Sequence, residues 1–135
     1  MNEKKITTLA DVMTREVIMI EPKDTVHDAI NLMREHKTSS LIVNRRDEAD
    51  EYGIVVVTDI ARDVLGKNLS PERVNVYDIM SKPVVALGAG MNVVYAVRML
   101  VRFKLSRTIV VDDNRVPIGV VTLRDMVLRG MTTDG

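Results

Sequence analysis

The chain has 135 residues, 46% of them hydrophobic and 28% charged, with 19 basic side chains against 19 acidic and no cysteine. That length suffices for a compact body with a core, and the balance is that of a globular protein in water. The composition excludes a disulfide framework, a thiol nucleophile and a cysteine-ligated metal, and it contains no run of about 18 apolar residues that would span a membrane. The start, Met1-Asn2-Glu3-Lys4-Lys5, lacks the apolar stretch of a signal peptide, so a cytoplasmic location is expected. Residues 1–67 carry 10 basic and 13 acidic side chains, and residues 68–135 carry 9 and 6. With three Tyr, one Phe and no Trp, there are few platforms on which bases could stack, and a nucleic-acid partner is not expected.

Along the chain, Val17–Ile20 reads as a short strand ended by Pro22. Asp24 or Thr25 is placed to cap a helix, and Val26, Ala29, Ile30 and Met33 follow at helical spacing. Leu41–Val43 and Ile54–Val57 are β-branched runs with little alternation, as in strands covered on both faces. The polar stretch Asn44–Tyr52 lies between them, and its run Glu48-Ala49-Asp50-Glu51 reads as a solvated loop. Asp59–Leu65 resumes a helical pattern and stops at Gly66. Residues 68–74 read as a linker. Val84–Leu87 is the next strand, Gly88-Ala89-Gly90 a turn, and Asn92 the cap of a helix with Val93, Ala96, Val97 and Leu100 on one face. Thr108–Val111 and Ile118–Val121 are strands joined by Asp112-Asp113-Asn114-Arg115, and a last helix covers about Leu123–Arg129.

The second half repeats the first. Asp11-Val12-Met13-Thr14 returns as Asp78-Ile79-Met80-Ser81, 67 residues later. Ser39 then maps onto Ser106 and Ile42-Val43 onto Ile109-Val110, while Gly53 maps onto Gly119 and Asp59 onto Asp125 with a shift of 66. A register held this long marks two copies of one structural unit. The repeats are assigned to residues 9–67 and 75–131. Each is small enough to be marginal alone, so one compact module is expected overall.

The second copy carries the more suggestive chemistry. Thr122 stands at the start of the last helix, where free N–H groups favour a phosphate. Its hydroxyl adds a donor, and Arg124 adds a charged fork. Asp125, three residues on, can face the same side and accept bonds from a pair of ribose hydroxyls. Arg107, at the start of the preceding strand, could reach the same phosphate. Each residue also has a plainer reading: Thr122 as a helix cap, Asp125 as a partner of the helix dipole and Arg107 as a solvated strand end. In copy one, Val56 replaces the hydroxyl residue, Thr58 stands where Arg124 does, and Ser40 where Arg107 does. That copy keeps the carboxylate of Asp59 and loses the basic groups, so one strong and one weak site are expected.

The pattern resembles the cystathionine-β-synthase (CBS) domain, which occurs as tandem pairs. The resemblance rests on the two Asp-x-Met-Thr/Ser segments and on Lys37–Val43 with Lys104–Val110. It rests equally on Gly53–Ile60 with Gly119–Met126, and it covers about Leu9 to Arg129. It implies an α/β fold of two tandem β-α-β-β-α repeats, packed sheet-to-sheet as a pseudo-twofold pair. It also implies a regulatory module that senses adenosine nucleotides (AMP, ADP or ATP) in a cleft between the repeats, with no tightly required cofactor. By matching position, Asp125 would hold the ribose. Thr122, Arg124, Ser106 and Arg107 would meet the phosphate end, and Val84, Val85 and Ala86 would supply backbone groups and walls to the base. Asp59, Thr58, Ser40 and Ser39 are the corresponding positions of copy one. The resemblance further implies a homodimer, and output through an effector protein that the sequence does not name.

The alternative function is a ligand-independent assembly module with vestigial clefts, which Val56 favours. An enzyme is not expected, because no nucleophile–base set, P-loop or dinucleotide fingerprint is present. His27 and His36 do not make a metal site, and the nine Met read as packing residues.

Overall fold

The structure, a computed structural model, describes residues 6–82 and 85–130. It divides into two units, one of residues 18–84 and one of residues 1–17 with 85–135.

In the first unit, β1 (Met19–Ile20) lies parallel to β2 (Ser40–Val43), which pairs antiparallel with β3 (Gly53–Val56). The parallel pair requires a crossover, and α2 (Val26–His36) supplies it. Thr25 caps this helix: its hydroxyl accepts from the Asp28 amide at 3.1 Å while the Asp28 carboxylate accepts from the Thr25 amide at 3.0 Å. Lys37, at φ 52°, ends it. All four residues of β2 are buried, which explains why its sequence does not alternate. α3 (Val57–Asp63) follows β3 directly, two residues earlier than the apolar pattern suggests. It ends before a tight turn at Leu65–Lys67, with Asn68 rather than Gly66 in the left-handed conformation.

Residues 68–74, read as linker, fold onto this same unit. The Val26 amide donates to the Val74 carbonyl at 2.8 Å, and the Val76 amide to the Asp24 carbonyl at 2.8 Å. Val76 and Ile79 are buried in the core with Val26, Leu41, Val55 and Ile60. Burial of a valine side chain contributes about 1.5–3 kcal/mol, so this strip is a structural member of the unit. The segment ends by bonding β3: Ile54 and Ser81 exchange both backbone bonds, at 3.0 and 2.9 Å.

The second unit is built alike. β4 (Ala86–Gly88) lies parallel to β5 (Arg107–Val111), which pairs antiparallel with β6 (Pro117–Thr122). β4 starts two residues later than the sequence suggests, and Val84 lies outside the described residues. α4 (Val93–Arg102) is capped by Asn92, whose side chain accepts from the Val94 amide at 2.9 Å. α1 (Leu9–Val12) takes the place held in the other unit by residues 76–79. Leu9 and Val12 are buried beside Val93, Leu100, Val121 and Met126, and Thr14 exchanges backbone bonds with Val120 at 2.9 and 3.0 Å. The last helix is short: α5 (Leu123–Asp125) widens at once into a π-helical turn, Met126–Gly130.

Gly53 and Gly119 now have a physical reason. A methyl group added at Gly119 would sit 2.7 Å from the Thr14 carbonyl oxygen and 2.7 Å from Met13 Sδ. At Gly53 it would sit 3.1 Å from Ser81 O and 3.1 Å from Met80 Sδ. Each glycine leaves room for an Asp-x-Met-Thr/Ser segment to lie against its strand.

Candidate functional site

One end of the second unit's sheet gathers most of the residues singled out from the sequence. Arg107, at the start of β5, stands opposite Thr122, at the end of β6. The Leu123 amide donates to the Ser106 carbonyl at 2.8 Å, which ties the start of α5 to the strand beside it. Because β4 runs parallel to β5, with Ala86 paired to Ile109, the start of β4 lies at this same end. The buried Thr108 hydroxyl donates to the Val85 carbonyl, so that carbonyl is already engaged within the sheet. Arg124 is exposed on α5, and Thr122 and Asp125 are half-buried.

Thr122 and Asp125 form a reciprocal cap. The Asp125 amide donates to the Thr122 hydroxyl at 3.0 Å, and the Thr122 amide donates to Asp125 Oδ2 at 3.1 Å. The cap reading of Thr122 therefore holds, but it does not exhaust the pair. The Thr122 hydroxyl keeps its own proton to donate, and Asp125 Oδ1 takes no hydrogen bond or ion pair from a described residue. With only three α-helical residues before the π turn, α5 offers a weak dipole. Any charge stabilisation here rests on Arg107, Arg124 and the hydroxyl rather than on the helix end.

The first unit places Ser40 opposite Val56, and the Val57 amide donates to the Ser39 carbonyl at 3.0 Å. Thr58 is exposed and Ser40 buried. Val56 has no hydroxyl, so only half the cap exists, with its amide donating to Asp59 Oδ2 at 3.0 Å. The other oxygen is also taken. Arg62, one turn along α3, donates from Nη2 to Asp59 Oδ1 at 3.0 Å. The same guanidinium grips Asp63 with two bonds of 3.1 Å. Hydrogen bonds to Asp63 and then Asp59 push the Arg62 pKa up, and the Arg62 bond holds Asp63 below the usual carboxylate value. Asp59 is buried, at 7% exposure.

Sequence reasoning missed Arg62, although its spacing from Asp59 is the ordinary one for neighbours on a helix. The position three residues after Asp125 holds Leu128, so the second unit has no such partner. It also misread Asp50. This residue lies in the acidic loop, yet its side chain is 9% exposed and bonded to Lys82 Nζ at 2.7 Å. That bond, with backbone and side-chain bonds from Arg46, drives its pKa well below the normal carboxylate value. Among the described residues no group of His, Asp and Glu is arranged to hold a metal.

The CBS domain family model matches residues 9–66 and 76–130. The chain belongs to the CBS domain family. It is a tandem CBS pair, a regulatory type of module, with one three-stranded sheet in each unit. An uncharacterised protein of Methanopyrus kandleri is 36% identical over 121 residues, covering 89% of this chain and 61% of that protein. A hexameric CBS-CP12 protein from bloom-forming cyanobacteria is 32% identical, with a TM-score of 0.88, over 93% of this chain and 72% of that one. A CBS domain pair solved with 5′-methylthioadenosine and S-adenosyl-L-methionine matches at TM-score 0.78 and 24% identity, over 96% of this chain and 100% of that one, and shows the shared fold. The chain spans 23% of the inosine-5′-monophosphate dehydrogenase of Methanocaldococcus jannaschii, with which it is 31% identical. No described helix is long and apolar enough to cross a membrane.

Proposed function

We propose that this chain is a non-enzymatic sensor of adenosine nucleotides (AMP, ADP or ATP) that binds them at the sheet end of its second unit and acts through a partner protein. The observation that carries the reading is Asp125 Oδ1, unengaged by any described residue, beside the Arg107–Thr122 pair. A carboxylate oxygen accepts both hydroxyls of a ribose, and a guanidinium with a hydroxyl receives the phosphate. Ser106 and Arg124 flank the phosphate end, and Val85 with Ala86 lies towards the base. The adenosine-type ligands of the related solved pair support the choice of nucleoside.

Calorimetric titration with AMP, ATP and adenosine tests this. Asp125→Ala removes hydrogen bonds to a charged group, which costs about 1.5–3 kcal/mol, or roughly 10- to 150-fold in affinity. Because the same change removes half a helix cap, Asp125→Asn serves as the partner variant that keeps an acceptor for the Thr122 amide. Arg107→Ala weakens AMP and ATP far more than adenosine. Absence of binding by all three ligands to the unmodified chain defeats the proposal.

The second reading is a ligand-independent assembly module. The exposed aromatic side chains on α4 and at its C-terminal cap favour it, with Tyr95 at 59% and Phe103 at 58% exposure. We attribute the same face to a homodimer, and the two readings differ only in whether nucleotide binds.

A further inference from the structure

The two units treat their matching carboxylates differently. Asp125 keeps one oxygen open, while Asp59 has both engaged, Oδ2 by the Val56 amide at 3.0 Å and Oδ1 by Arg62 at 3.0 Å. The Arg62 guanidinium is itself held, since Asp63 grips it through both carboxylate oxygens at 3.1 Å. Two bonds through a planar fork fix the guanidinium better than a lone surface pair would. A ribose approaching Asp59 finds neither oxygen unengaged and, to place both hydroxyls on Oδ1, must displace a cation that two carboxylates hold. The absence of a hydroxyl at Val56 and of a basic residue at Ser40 leaves this unit poorly equipped for a phosphate. It would not by itself bar a neutral nucleoside.

We propose that Arg62 is an internal plug: it fills the ribose acceptor of the first unit and so limits the chain to one nucleoside site. This rests on the reading of Asp125 as the ribose acceptor of the second unit. The ligand class follows from what remains once the plug is removed. Asp59 would offer Oδ1, with no arginine opposite, as Ser40 and Thr58 occupy the positions of Arg107 and Arg124. The opened site therefore takes an uncharged adenosine-type nucleoside in preference to a nucleotide.

Arg62→Leu installs the residue type found at the matching position, Leu128. Arg62 is largely exposed, at 64% for its side chain, so the substitution leaves the fold intact. Adenosine titrated calorimetrically into the Arg62→Leu chain shows a second site, tightened about three- to tenfold over any weak first-unit binding of the unmodified chain. The gain disappears when Asp59→Ala is added, which places it at that carboxylate. Arg62→Lys, which keeps the charge and loses the fork, falls between. Unchanged stoichiometry and affinity in Arg62→Leu overturns the plug, as does a gain that survives Asp59→Ala. Two equal sites in the unmodified chain overturn it as well. A failure of the second-unit site is separate: adenosine binding would then appear only in Arg62→Leu, supporting the plug and refuting the assignment of Asp125.

Discussion

A single missing carbon decides much of this fold. At Gly119 an added methyl would meet the Thr14 carbonyl and Met13 Sδ at 2.7 Å, and at Gly53 the nearest atoms are 3.1 Å away. A backbone oxygen that exchanges ladder bonds with the same strand cannot retreat cheaply, whereas a contact a few tenths of an ångström longer relaxes by small shifts. Gly119→Ala should therefore cost about 1–3 kcal/mol, the usual range for overpacking. Gly53→Ala should cost less, and thermal melting of the two variants gives the order. The equivalence of these glycines was visible from the repeat register, but their purpose was not, because the segment that presses on each lies over a hundred positions away in one case. Arg62 and Asp50 were hidden for a related reason. A charged residue in a helical or acidic stretch looks solvated until the structure shows the partner beside it, the buried Asp59 for Arg62 and the half-buried Lys82 for Asp50.

At the scale of elements, the strands and long helices were legible because β-branched runs and helical spacing are strong local signals. Three capped helix starts were equally readable in kind. Thr25, Asn92 and Thr122 each cap the helix that follows, as short polar side chains before apolar periodicity should. The aspartates of the Asp-x-Met segments turn out to be caps as well, Asp11 accepting from the Thr8 amide at 2.9 Å and Asp78 from the Asn75 amide at 3.2 Å. What the sequence could not reveal was the partner of each such segment. The one that precedes the second repeat completes the first unit, and the one at the N-terminus completes the second. A fragment cut by repeat, residues 9–67, lacks Val76 and Ile79, both buried in the first unit's core. A fragment cut by contact, residues 18–82, retains them. Circular dichroism with urea titration should find a cooperative transition in the 18–82 fragment and a weaker or absent one in 9–67. Equal stability of the two would contradict the assignment of residues 74–81 to that core.

At the scale of the whole molecule, the α4 face is the feature most in need of a partner. Tyr95, Arg98, Met99, Arg102 and Phe103 line a shallow groove on it, and Val127 and Leu128 are also exposed at 53% each in the same unit. Burying two aromatic rings that monomers leave in water favours self-association through this surface. Analytical ultracentrifugation at micromolar concentration should find a dimer, and Tyr95→Glu with Phe103→Glu should return it to a 15.1 kDa monomer. The functional claim asks for a different test, one that reports where a nucleotide sits as well as whether it binds. Backbone amide resonances followed during AMP titration provide both. The account predicts shifts concentrated at Ala86, Ser106, Arg107 and Thr122–Asp125, with Ser39, Ser40, Thr58 and Asp59 nearly still. Shifts centred on the first-unit group instead, or no shifts at saturating AMP, would contradict it.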